Sequence, residues 1–165
     1  MKLRLEQRLF SWFDSYDDYN EDGSVAYVVK GRPDWGHCLK IFDPDGNELG
    51  MVRERVWNVG WWPTFDLHID GRMIGSIRNK TMFWRPSWVF DFNGWSVQGE
   101  LVPTWDENYT IFDSDGNVVA GVSKVWWEWK WTDTYAVDIV SPGDALLALM
   151  FALALDAYNC TCKDD

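Results

Sequence analysis

The stretch ALLALMFALAL, residues 145–155, is apolar on every side of the helix that it would form. It is too short to cross a bilayer as a helix, which takes about 20 residues, and a helix without a polar face must be buried inside protein. The segments before it have the pattern of β-hairpins, so the simplest structure is a closed β-barrel that encloses this helix. Ser141 as N-cap, Pro142 at the first helical position and Asp144 three residues after the cap predict a helix over about residues 142–159.

Five Asp-Gly or Asn-Gly pairs punctuate the chain at intervals of 22 to 25 residues. Such pairs favour two-residue type I′ hairpin turns, in which both central residues have positive φ. The flanking segments alternate apolar and polar residues as strands do. Two strands for each turn, with one more before the first turn and one after the last, predict about twelve antiparallel strands over residues 3–140. The pairs are Asp22-Gly23, Asp45-Gly46, Asp70-Gly71, Asn93-Gly94 and Asp115-Gly116.

A further glycine follows each of the last four turns, at Gly50, Gly75, Gly99 and Gly121. A glycine inside a strand marks a bend, a bulge or a close approach by another part of the chain. Close approach to the enclosed helix and simple bending of the strand are both open explanations.

The size and charge of the chain limit its class. Residues 1–165 are predicted to form one domain. The net charge of −11 argues against a nucleic-acid partner and against long-range attraction to anionic membranes. A membrane-spanning helix needs about 18 consecutive apolar residues, and no segment reaches that length. No secretory signal is visible at the start. The three cysteines are expected to be free thiols, and the expected location is the cytoplasm, either free or peripheral to a membrane.

Ten of the thirteen tryptophans fall between the predicted hairpins and would meet at the barrel end opposite the Asp-Gly turns. Tryptophan favours places that are apolar on one side and wet on the other, so this rim is a candidate membrane contact, ligand mouth or protein interface. Packing of these side chains into the barrel wall is the alternative. The candidate ligand or interface residues are Trp61, Trp62, Trp84, Trp105, Trp127 and Trp129.

Four basic residues are candidates for one phosphate head-group patch, because Arg53 and Arg55 share a strand face and so do Arg78 and Lys80. Solvated strand faces paired with acids are the alternative. The opposite rim is expected to be acidic, with Asp17, Asp18, Asp22, Asp43, Asp45, Asp70, Asp113 and Asp115. Its Asp-rich loops lack the spacing of a calcium-binding loop, and the turns already account for these residues, so no metal site is predicted.

Catalytic machinery is not evident in the sequence. There is no nucleophile elbow, no phosphate-binding loop and no His pair with metal-ligand spacing, so the chain is expected not to be an enzyme and to need no cofactor. Asp156, the ionisable residue next to the apolar run, is expected at the barrel mouth, solvated or paired with an arginine. A buried functional carboxylate is the alternative for this residue.

Three segments resemble the LURP-one-related proteins, which belong with tubby C-terminal domains and phospholipid scramblases in one superfamily. They are SWFDSYDDYNEDGSVAYVVKG (residues 11–31), HCLKIFDPDGNELGMVRERVW (residues 37–57) and DTYAVDIVSPGDALLALMFALALDAYNC (residues 133–160). The resemblance implies a small stand-alone member of prokaryotic type, with a twelve-stranded barrel around a central C-terminal helix. Tubby-like domains bind phosphoinositides and scramblases move lipids between leaflets.

The function expected from the residues and the resemblance together is a non-catalytic binding or scaffold module. A lipid or membrane surface is the first candidate ligand. The alternatives are a protein-interaction module that uses the Trp-rich rim, and lipid movement of the scramblase kind.

Overall fold

The computed structural model describes residues 1–7, 15–32, 34–56, 63–80, 87–99, 108–125 and 134–163. Within these residues, twelve antiparallel strands and a C-terminal α-helix form the fold, as predicted. The elements are β1 (Lys2–Gln7), β2 (Ser15–Asn20), β3 (Val25–Gly31), β4 (Cys38–Phe42), β5 (Glu48–Glu54), β6 (Thr64–Ile69), β7 (Arg72–Asn79), β8 (Ser87–Phe90), β9 (Ser96–Gly99), β10 (Asn108–Phe112), β11 (Val118–Val125), β12 (Thr134–Ile139) and α1 (Ala145–Lys163).

Each strand pairs with its neighbours in the sequence, and β1 pairs with β12 to close the barrel. Closure leaves no unpaired strand edge, which is how small β proteins avoid edge-to-edge association. The up-and-down order places the five Asp-Gly and Asn-Gly turns at one end, called here the turn end. We call the opposite end, where one hairpin connects to the next, the connection end. The helix follows β12 and therefore enters the barrel at the turn end.

The helix is enclosed by the barrel, as its uniformly apolar sequence predicts. All residues from Ala148 to Leu155 are fully buried, which a helix packed on one face alone does not achieve. The Phe151 ring lies 5.9 Å from those of Trp88 and Tyr109, in the edge-to-face geometry that aromatic pairs favour. The inward residues of the strands, such as Ile41 and Leu67, complete one contiguous core.

The start of the helix differs from the prediction. Residues Pro142–Asp144 form a 3₁₀ turn, and the α-helix begins at Ala145 and continues to Lys163 rather than ending near residue 159. The Ser141 side chain makes no capping hydrogen bond. Its carbonyl oxygen accepts a hydrogen bond from the backbone N–H of Asp144 at 3.0 Å, so a tight i→i+3 turn replaces the side-chain cap.

The turn type was also predicted wrongly, except at Asp70-Gly71, where both residues have positive φ, 50° and 72°. In the loop that follows β4, the Asp43 N–H donates to the Asn47 carbonyl and the Gly46 N–H donates to the Asp43 carbonyl, both at 3.0 Å. This is a three-residue loop with a left-handed glycine and a bulge, and the loop after β10 repeats it. The glycine meets the same conformational need in either turn type, so the sequence marks the position but not the loop length.

The glycines inside the strands have different causes. A Cβ at Gly50 would lie 2.3 Å from Met150 Cε of the helix, so close approach to the helix explains this residue. At Gly75, with φ of 155°, the near neighbours are instead Phe92 and Asp91 of the adjacent turn. A Cβ at Gly121 would meet no atom within 4 Å, so neither explanation is required there.

Candidate functional site

The six candidate tryptophans, Trp61, Trp62, Trp84, Trp105, Trp127 and Trp129, lie outside the described residues. Their role in a rim or in the barrel wall stays a prediction. Of the ten tryptophans assigned to the rim, the structure describes Trp35, in the connection between β3 and β4. Its side chain is 82% exposed, which is unusual for the largest apolar residue and marks a surface available for contact.

The other described tryptophans belong to the interior. Trp88 is 1% exposed and lies against the helix, with its ring 5.2 Å from that of Tyr158. Trp95 packs against the core through Phe90, at 5.5 Å between rings. Trp35 is therefore distinct from the tryptophans that stabilise the fold.

The structure brings the four candidate basic residues to one outer face at the connection end. Arg53 on β5 is opposite Asp66 on β6, and Arg78 on β7 is opposite Thr64 on β6. Neighbouring strands are about 4.8 Å apart, so the basic residues of β5 and those of β7 are separated by about 10 Å. The strand pairing, which no local pattern reveals, makes them one surface.

Two of these four side chains are engaged with carboxylates. Arg53 Nε lies 3.0 Å from Asp34 Oδ2, and Arg55 forms a two-pronged hydrogen bond to both oxygens of Asp66. The hydrogen bonds that Arg55 donates to Asp66 raise the pKa of Arg55, which stays charged at every relevant pH. For Arg53 and Arg55, the structure thus agrees with the alternative interpretation, in which the basic residues of these strand faces pair with acids.

A surface pocket of about 390 Å³ lies between the two ion pairs. Trp35 forms part of its wall together with Val56, whose side chain is 48% exposed. The pocket thus combines an exposed apolar pair with charged groups that are held in place by their partners. Its remaining lining residues are Asp34, Arg53, Glu54, Arg55 and Asp66.

The remaining two basic side chains, Arg78 and Lys80, are exposed and form no ion pair with a carboxylate of the described chain. Arg78 acts at longer range on Asp91, whose carboxylate accepts two 2.6 Å hydrogen bonds from Ser76. Partial burial would raise the pKa of Asp91, but the hydrogen bonds and the charge of Arg78 together hold it below its usual value.

The turn end is acidic, as predicted. Two of its carboxylates accept hydrogen bonds within their own loops. Asp43 accepts hydrogen bonds from both the backbone and the side chain of Asn47, and these bonds lower the pKa of Asp43. Asp113 has the same relation to Asn117, with the same effect on its pKa. Within the described part of the chain, no three His, Cys, Asp or Glu side chains are grouped so as to hold a metal ion.

Asp18 was assigned wrongly to the acidic rim. It is opposite Leu5 on β1 and Tyr27 on β3, and because Leu5 points into the core, Asp18 does as well. Its side chain is 0% exposed. The segment Tyr16-Asp17-Asp18-Tyr19 has no apolar alternation, so no signal in the sequence shows which of its two aspartates faces inward.

Asp156 is buried, with 1% exposure, so the prediction of a solvated side chain is wrong, while its pairing with an arginine stays a prediction. The helix continues to Lys163, about two turns beyond Asp156. Asp156 is therefore further from the end of the helix than it would be in the predicted helix, which ends near residue 159. Two carboxyl groups of the described residues therefore lie in the interior, Asp18 from the wall and Asp156 from the helix.

No helix of the described residues is long and apolar enough to cross a membrane.

Comparison with known proteins gives a family for the chain. The family model described as LURP-one-related matches residues 1–156. A similar protein, the uncharacterized protein YxjI of Bacillus subtilis (strain 168), is 27% identical over 162 residues, which cover 96% of this chain and 95% of the relative. No solved structure matches the chain. The chain belongs to the LURP-one-related family.

Proposed function

We propose that the chain is a non-catalytic binding module that docks on a lipid membrane surface through its connection end. The observation that carries the proposal is the exposed Trp35, which shares a pocket with Val56 beside the basic face of β5 and β7. Tryptophan is favoured at the boundary between headgroups and acyl chains, and basic side chains beside it are attracted to anionic headgroups.

The charge distribution supports this orientation. At the connection end, the exposed basic residues of the described chain are Lys30, Arg32, Arg53, Arg55, Arg78 and Lys80, and the carboxylates are Glu6, Asp17, Asp34, Glu54 and Asp66. At the turn end, the carboxylates are Glu21, Asp22, Asp43, Asp45, Glu48, Asp70, Asp91, Asp113, Asp115, Asp138 and Asp144, and the basic residues are Lys2 and Arg72. A barrel docked by its connection end keeps the acidic end away from an anionic surface.

Arg78 and Lys80 are the groups best able to contact a headgroup, because Arg53 and Arg55 already hold carboxylates. A phosphate near Arg53 or Arg55 has to compete with Asp34 or Asp66. We therefore limit the proposed head-group patch to Arg78 and Lys80. The ion pairs of Arg53 and Arg55 lie beside it.

Co-flotation with neutral, anionic and phosphoinositide-containing liposomes, with and without calcium, tests the proposal. Each basic residue near an anionic surface contributes about 1 kcal/mol, so Arg78→Gln with Lys80→Gln is expected to weaken binding to anionic vesicles by about 30-fold. Trp35→Ala is expected to weaken binding to neutral and anionic vesicles alike, since it removes an apolar contact.

Matched controls lie on the same strand at the turn end. Arg72→Gln removes an exposed charge, and Met73→Ala removes a side chain that is 53% exposed. Both are expected to leave flotation unchanged. Failure to float with any vesicle would contradict the proposal and favour the protein-interaction module, because Trp and Arg are also enriched at protein interfaces. Transfer of labelled lipid between leaflets in the same vesicles tests movement of the scramblase kind.

A further inference from the structure

The side chain of Asp18 is an ionisable group in the interior of the barrel. Its side chain is 0% exposed, and neither carboxylate oxygen has a hydrogen-bond partner in normal geometry among the described residues. A buried polar group without a partner is expensive, and a buried charge more so. Natural proteins seldom retain such a residue at a position that a leucine or valine would fill.

No charged group of the surrounding elements compensates Asp18. On β1 the opposite residue is Leu5, while Arg4 and Glu6 point outward and pair with each other at 2.7 Å. On β3 the facing group is the hydroxyl-bearing ring of Tyr27, whose own pKa is raised by burial and by Asp18. On its own strand, the flanking Asp17 and Tyr19 point outward.

Among the described residues, the enclosed helix and the far wall also carry ionisable groups in the interior. The helix presents a carboxyl at Asp156 and a phenol at Tyr158, neither of which is a cation. The inward-facing Lys124 lies in the same row of paired residues, through Tyr135 and Leu5. It is three strands away from Asp18, about 14 Å along the wall. Its ammonium lies over the Tyr135 ring, 5.8 Å from the centroid, and it forms no ion pair with Asp18.

Burial raises the pKa of Asp18 to about 7, although the backbone N–H groups of Tyr19 and Arg4 oppose the rise. In an open conformation the ordinary value of 3.8 applies. The closed conformation therefore holds the proton more tightly than the open one. The free energy needed to open it consequently falls as the pH rises from about 4 to about 7.

The β2–β3 pairing is irregular directly beside Asp18. The pairing of β2 with β3 shifts by one residue between Asp18 and Tyr19, and a bulge of this kind interrupts the ladder of hydrogen bonds. The exposed turn at Asp22-Gly23 follows directly. We propose that Asp18 makes the β2–β3 hairpin a pH-sensitive switch, seated in the barrel when the carboxyl is protonated and released when the carboxyl ionises.

Native-state hydrogen exchange of β2 and β3 amides, corrected for intrinsic rates, tests this switch. From the values of 3.8 and about 7, the opening equilibrium of the hairpin is expected to rise by about 90-fold between pH 5 and pH 8. Asp18→Asn is expected to remove this rise. Asp17→Asn, the adjacent outward-facing control, is expected to keep it.

A rise of the same size in the amides of β8, across the barrel, would show global rather than local opening and would overturn the proposal. So would a pH-dependence that persists in Asp18→Asn or disappears in Asp17→Asn. If Asp18→Asn does not fold, the carboxyl carbon of Asp18 in the unaltered protein is titrated by NMR. A midpoint near 7 supports the switch, and a midpoint below about 5 refutes it.

Discussion

Replacement of Gly50 by alanine tests the close contact between strand β5 and Met150 of the enclosed helix. The added Cβ would lie 2.3 Å from Met150 Cε and 2.9 Å from the His68 carbonyl oxygen, closer than real side chains allow. Met150 is fully buried, so its methyl group has little room to retreat. Overpacking of this kind costs about 1–3 kcal/mol, and we expect Gly50→Ala to lower the free energy of unfolding by that amount.

Gly121→Ala is the matched control. Gly121 also lies inside a strand and has ordinary φ, but its Cβ would meet no atom within 4 Å. Removing a glycine from the unfolded chain then leaves stability unchanged or raises it by about 0.4–1 kcal/mol. Urea unfolding followed by far-UV circular dichroism gives both values, and an unchanged slope shows that the same surface is exposed.

A double-mutant cycle with Met150→Ala separates the two contacts of the new Cβ. Met150→Ala alone leaves a cavity, for which about 2–5 kcal/mol is usual. If the clash is with the helix, the double variant is more stable than the two single effects predict, by about 1–3 kcal/mol. Strict additivity would assign the clash to the His68 carbonyl instead. Equal stability of Gly50→Ala and Gly121→Ala would refute the close approach altogether.

Three further predictions concern the helix, the outer face and the turn end. A chain that ends at Val140 is expected to show no cooperative unfolding transition by circular dichroism, because no other segment fills the barrel interior. Asp91→Asn is expected to lower the free energy of unfolding by about 1 kcal/mol at pH 7, through its bonds to Ser76. Because the pKa of Asp91 is lowered in the folded state, the deficit of the variant is expected to vanish as the pH falls through the folded-state value, and a constant deficit would contradict this role. Millimolar calcium is expected to leave the melting temperature unchanged, since Asp43 and Asp113 already accept hydrogen bonds within their own loops; an upward shift would reveal a site.

The architecture was predictable because its signals are local. An Asp-Gly pair needs only a turn, alternation needs only one strand face, and a helix such as residues 148–155 has no stable place outside a core. Each signal holds whichever strands turn out to be neighbours. The twelve strands and the enclosed helix therefore follow from the sequence before any pairing is known.

The orientation of Asp18 and the engagement of Arg53 depend on pairing and could not be predicted in the same way. The register of β2 against β1, which sets Asp18 opposite Leu5, decides that Asp18 rather than Asp17 faces the core, and both aspartates are flanked by tyrosine. The ion pair of Arg53 requires Asp34, which lies in a connection between two other strands. Neither relation leaves a periodic trace in the sequence.

The net charge of −11 misleads about the surface that a partner meets. Most carboxylates of the described residues are gathered at the turn end, where Asp43 and Asp113 accept hydrogen bonds that close the loops after β4 and β10. The four basic residues Arg53, Arg55, Arg78 and Lys80 are at the other end. Local and total charge therefore predict opposite effects of salt on binding to anionic vesicles.

Salt titration of vesicle binding exploits this opposition. The screening length falls from about 10 Å at 0.1 M to about 3 Å at 1 M ionic strength. If the connection end makes the contact, attraction dominates at short range and added salt weakens binding, with a smaller effect in Arg78→Gln/Lys80→Gln. If the whole molecule is simply an anion near an anionic surface, added salt relieves repulsion and strengthens binding. The second outcome would exclude the proposed orientation even if the protein floated with vesicles, because the basic face would then lie away from the lipid.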